Sequence, residues 1–143
     1  MHKNFGKVGV LLSLVLAVVS ARAADKPSVQ NRIDMEARNA GTYSTTMAAN
    51  EAASHYAYER VAEGKKEYIK VAQACADCSD MAGMAAKMSA RHSPMAGMAG
   101  EMMAKCCDMT VVEAEKLNDP ALAACIEHCK KAAAAARETE KAQ

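Results

Sequence analysis

Six cysteines fall into three close pairs: Cys75 and Cys78, Cys106 and Cys107, Cys125 and Cys129. Of the eleven methionines, eight lie between Met81 and Met109. Thiolate and thioether sulfurs are soft ligands, and they select Cu(I) over hard cations through polarisability. Residues three or four apart share one face of a helix, so Cys75 with Cys78, and Cys125 with Cys129, can act together. The pattern therefore points first to a soft-metal site, with Cu(I) as the leading ion.

Helical geometry ranks the candidates. Cys106 shares a seam with Met95, Met98, Met102 and Met109, whereas Cys107 is rotated about 100° away. Cys106 is therefore expected to face inward, and Cys107 to face a neighbouring helix or a subunit partner. Met81, Met98 and Met102 stand on or beside the cysteine faces and are the thioether candidates. Met84 and Met103 are expected only to pack. His92, between two methionine-rich segments, and His128, between Cys125 and Cys129, are the histidines to test as ligands, though a surface or capping role is the commoner one. His55 is placed on the inner face of its helix.

Three other chemistries compete. An even cysteine count in an exported chain commonly means disulfides, which would make this a stapled helical interaction module without metal. The helix-face clustering and the accompanying methionines argue against that. Zinc or nickel is a further alternative, but structural zinc favours four closely spaced Cys/His ligands and gains nothing from methionine. Cys75-Ala-Asp-Cys78 lies inside a long helical pattern rather than after a strand, so a thioredoxin-like dithiol enzyme is not supported. No Ser-His-Asp set, phosphate-binding glycine loop or paired acidic site is visible, so the chain is read as not an enzyme.

The elements that must position these sulfurs read as follows. Lys3 and Lys7, the apolar run Val8 to Val19 and Ala21-Arg22-Ala23 form a secretory signal, with cleavage expected after Ala23. The run is too short to span a bilayer, so a periplasmic or secreted location without stable membrane insertion is expected. Cleavage removes three basic residues and no acid, taking the formal charge from +1 to −2. No basic run remains, which argues against nucleic acid as a partner. Residues 24–45 are polar and aperiodic and read as a mobile linker, with a short helical patch from Val29 capped by Ser28. Residues 46–139 carry helical periodicity and 140–143 form a tail.

Four helices are expected. The first starts at Thr46, with Met47, Ser54, His55, Tyr58 and Val61 on its inner face. The second runs from Lys65 to about Arg91, with Tyr68, Val71, Cys75, Cys78, Ala82 and Ala85 as its stripe. Ser93-Pro94 starts the third, which ends near Leu117. Asp119-Pro120 starts the fourth, whose face is Leu122, Cys125, Cys129, Ala132, Ala133 and Ala136. Short connections between amphipathic helices imply an all-α, antiparallel four-helix bundle. Beyond the signal there is neither Phe nor Trp, and Leu, Ile and Val are scarce. Such a core specifies packing weakly, so metal binding or homo-oligomer formation is expected to stabilise it.

From about Tyr68 to Glu138 the chain resembles the four-helix-bundle copper storage protein family, exported branch. The carrying residues are Cys75-Ala-Asp-Cys78, Lys105-Cys-Cys-Asp108 and Asp119-Pro-Ala-Leu-Ala-Ala-Cys-Ile-Glu-His-Cys-Lys-Lys131. The resemblance implies several Cu(I) ions held by cysteine thiolates along the bundle axis, for storage or detoxification. Family members carry more cysteines, and here Ala132, Ala133 and Ala136 stand where others would be expected. Fewer thiolates imply lower capacity and more exchangeable copper.

Overall fold

The computed structural model describes residues 27–142. The expected signal segment lies outside them, as does Gln143. Among the described residues every regular element is helical: α1 (Val29–Ala62), α2 (Ile69–Ala90), α3 (Ala96–Leu117) and α4 (Ala123–Lys141), with 3-10 turns at Lys66–Tyr68 and Pro120–Leu122. The helices pack cyclically: α1 against α2 and α4, and α3 against α2 and α4. This is the antiparallel four-helix bundle that short connections require. No helix among the described residues is long and apolar enough to cross a membrane.

Local chemistry sets the boundaries. Ser28 Oγ accepts from the Asn31 N–H at 3.2 Å and caps α1. Gly64, at φ +91°, takes the left-handed conformation just past the α1 end. Ser93 Oγ accepts from the Met95 N–H, but it only closes the turn before α3: the helix begins at Ala96, with Met95 rather than Ser93 at its N-cap. Asn118, at φ 48°, closes α3. Asp119 then accepts from the Ala121 N–H at 3.0 Å and from the hydroxyls of Tyr56 and Tyr68, each at 2.7 Å. One carboxylate thus ties α1, the turn before α2 and the start of α4 together. At the opposite end, His92 Nδ1 lies 2.6 Å from a Glu36 carboxylate oxygen.

The expected linker over 24–45 is the clearest correction. Its greater part belongs to α1, whose 34 residues span roughly 51 Å at 1.5 Å per residue. Asn39 donates to Thr139 Oγ1 of α4 at 2.6 Å. Tyr43 is buried, and a Cβ on Gly100 of α3 would meet its hydroxyl at 3.4 Å. The inner face of α1 is rotated from the expected one. Ser54 is buried, and Met47 and Val61 pack against the core edge, as expected, but Tyr43, Thr46, Asn50, Ala53 and Ala57 are buried as well, whereas His55 and Tyr58 are exposed. The helix docks partly through polar residues that bond across the bundle, and hydrophobic periodicity does not register those. At the other terminus α4 continues through Lys141 rather than ending near Thr139.

The core is built from small residues and a few large anchors. The expected stripes of α2 and α4 are buried throughout. Tyr43, Met103, Leu122 and Val71 are the largest fully buried side chains. Full burial of a Leu- or Met-sized chain contributes about 1.5–3 kcal/mol, so these four carry much of the apolar stabilisation.

Candidate metal centre

Five of the six cysteines meet on the bundle axis. Cys75 and Cys78 come from α2, Cys107 from α3, and Cys125 and Cys129 from α4, and none is more than 2% exposed. All are free thiols. Cys78 Sγ lies 3.4 Å from Cys107 Sγ and 3.8 Å from Cys129 Sγ. These three sulfurs fall within 4.8 Å of one another, close enough for one ion to touch all three. One helical turn away, Cys75 Sγ lies 3.8 Å from Cys125 Sγ.

Asn50 of α1 joins the two groups. Its Nδ2 donates to Cys129 Sγ at 3.2 Å and to the Thr46 carbonyl at 2.9 Å. Its Oδ1 accepts from the Cys125 thiol at 3.2 Å. A fully buried amide costs several kcal/mol if left unpaired, and here both ends are satisfied. Thr110 is held beside this cluster by its hydrogen bond to the Ala74 carbonyl. Residue periodicity did not single out Asn50. The signal that could have found it is the series Asn39, Tyr43, Thr46, Asn50, Ala53 and Ala57, which follows helical spacing but mixes polar with apolar types.

The clustered cysteines shift one another in opposite directions. Hydrogen bonds from Cys107, Cys125 and Cys78, with a contribution from Asn50, hold Cys129 far below the ordinary thiol range. Cys107 and Cys125 are pushed far upward, chiefly as hydrogen-bonding partners of Cys129, then by Cys78 and Cys75 respectively, then by burial. Burial, above all, pushes Tyr43 of α1 up to about 12. Each thiol that binds a cation here must release its proton.

The order of the adjacent pair is reversed from expectation. Cys107 is buried in the cluster, and Cys106 is the half-buried residue on the α2 flank. Met103, expected only to pack, is fully buried. Met98 and Met102, expected as thioether ligands of the cluster, are 56% and 49% exposed, and Met81 is half-buried at the core edge. The reason is rotational. The inner arc of α3 centres on Ala96, Ala99, Met103, Cys107, Thr110 and Ala114, so the bundle selects the face with small residues rather than the one richest in sulfur. His128 is half-buried beside the cluster, where its backbone carbonyl accepts from Thr46, and His92 is exposed in the α2–α3 connection.

A match to the family described as Csp, copper storage protein, covers residues 35–141. The chain belongs to the copper storage protein family. Comparison with curated proteins finds no match, and comparison with solved structures finds none either. The family match includes residues 35–45, part of the segment read from sequence as a linker, and with it Tyr43. Family membership and the buried cysteine cluster together point to copper as the metal bound by this copper storage protein.

Proposed function

We propose that the protein is an exported, non-enzymatic Cu(I) store or buffer, working in the periplasm or outside the cell. Cys75, Cys78, Cys107, Cys125 and Cys129 are its ligands. The observation that carries this reading is the set of five free thiols from three helices, shielded from water on one axis. Soft thiolates favour Cu(I), which is satisfied by few ligands. Zinc needs four, and the tightest group supplies three sulfurs with no access for water to complete the shell. The N-terminal signal pattern supports export. The 3.4 Å approach of Cys78 and Cys107 favours a second reading, in which a two-electron thiol oxidant takes up the electrons as both thiols lose their protons, joining the sulfurs as a disulfide and removing them from copper binding.

The test is an anaerobic titration of reduced protein with Cu(I) held by a coloured chelator, with thiols counted before and after. Withdrawal of several equivalents with protection of five thiols is the expected result. Failure to withdraw copper, or unchanged stoichiometry after all five cysteines are replaced by serine, would reject the assignment. A rise in melting temperature with Zn(II) but not Cu(I) would move it to the divalent reading.

A further inference from the structure

The buried cluster leaves a second set of sulfurs unexplained, on the outside of the α2–α3 pair. Met95, Met98, Met102 and Met109 are each about half exposed. Helix propensity does not require methionine at such positions, where Lys, Glu or Gln serve as well. On the facing flank of α2, Met81 and Met88 are half-buried against the edge of the core. Cys106 is half-buried on the same seam, close enough to Asp77 of α2 to feel its charge.

Two contacts fix the register. Thr110 is level with Ala74, through a 3.0 Å hydrogen bond, and Cys107 is level with Cys78. Counting along the antiparallel helices from these points places Met81 between the levels of Met102 and Cys106. Met88 falls between the levels of Met95 and Met98. Met102 and Cys106, four apart, are neighbours on one helix face. Two groups of sulfurs therefore stand along one outer seam, and only the first includes a thiol.

We propose that Met81, Met102 and Cys106 form a Cu(I)-capture site on the outer α2–α3 seam, separate from the buried cysteines. This rests on the Cu(I) reading of the cluster and adds to it the place where copper is first taken from a donor. Copper stays in the +1 state throughout. The Cys106 thiol loses its proton to solvent as the Cu–S bond forms, and the neutral thioethers bind without proton loss. One thiolate with two thioethers binds more weakly than the buried thiolates and suits exchange. Met102 is 49% exposed and Met81 and Cys106 are partly exposed, whereas the buried cysteines are 0–2% exposed. Asp77 adds negative charge beside the seam.

The test uses the full mature chain labelled with 13C at its methionine methyls, titrated anaerobically with chelated Cu(I) while thiols are counted. The expected result is a shift of the Met81 and Met102 methyl signals that saturates after the five buried thiols are protected. Protein carrying Met81→Leu, Met102→Leu and Cys106→Ser loses one weakly held equivalent and keeps five protected thiols. Methyl signals that stay fixed to saturation overturn the outer site. So do shifts that follow protein concentration without copper, which would assign the face to self-association. Shifts of the outer methyls while the five thiols stay unprotected would reject storage in the core and leave the outer site standing.

Discussion

Cys106 and Cys107 are neighbours in the chain, yet they belong to different environments. Cys107 is fully buried, 3.4 Å from Cys78 and beside Tyr43 and Cys129. Cys106 sits on the outer flank near Asp77, among half-exposed methionines. Met103 and Met102 repeat the contrast one turn earlier, at 0% and 49% exposed. A rotation of about 100° per residue is the whole difference. The same sulfur chemistry is divided into an inner group of thiols shielded from water and an outer row of mostly neutral thioethers in contact with it.

The methionine pair gives the largest contrast in stability. Met103→Ala is expected to cost about 2–5 kcal/mol, because it removes one of the few large core anchors and leaves a cavity that alanine-rich walls fill poorly. Met102→Ala is expected to stay within about 0.5 kcal/mol of the parent. Denaturant unfolding of apo protein measures both, and equal losses would break the division into inner and outer faces.

The cysteine pair gives the next contrast, in affinity. Cys107→Ser is expected to weaken the tight phase of Cu(I) binding at least about tenfold, or about 1.4 kcal/mol. It removes one of three converging sulfurs. Cys106→Ser should leave the tight phase in place and affect only the last, weakly held copper. Chelator competition on the two variants decides the matter, and a larger loss from Cys106→Ser would reverse the assignment.

The smallest effect is kinetic. In native, reduced apo protein, iodoacetamide should modify one thiol, Cys106, while the five inner thiols react only on unfolding. The reactive form is the thiolate, and burial together with Asp77 raises the Cys106 value above that of an ordinary thiol. Its modification rate should therefore keep rising with pH beyond the range where a free cysteine has levelled off. Mass spectrometry of the labelled protein at a series of pH values tests this. Two or more fast-reacting thiols would mean that the core opens readily.

The inner stripes of α2 and α4 were legible because their small and apolar residues recur with a clean period, from Val71 to Ala85 and from Leu122 to Ala136. Ser28 and Gly64 at the ends of α1, and Asp119 before α4, marked boundaries through chemistry that acts locally. The inward face of α1 was not legible. Asn39, Thr46 and Asn50 face inward because Thr139, the His128 carbonyl and Cys125 with Cys129 await them on α4. A polar residue reads as solvent-facing until its buried partner is known. On α3 two faces were both rich in sulfur, and hydrophobic character favoured the one with more methionine.

By itself the sequence determined the pairing of cysteines on helix faces, the number of helices and most of their ends, since those depend on residue type and on neighbours a few positions away. Which of two adjacent cysteines enters the core was decided only by the tertiary structure. So was the docking of residues 29–45 as helix, along with the convergence of Asn50 on the sulfurs. Each of these depends on what three other helices present at the same level of the bundle. Close packing there accepts Ala99, Met103 and Cys107 against the alanines of α2 and α4, and leaves the bulkier methionine row outside.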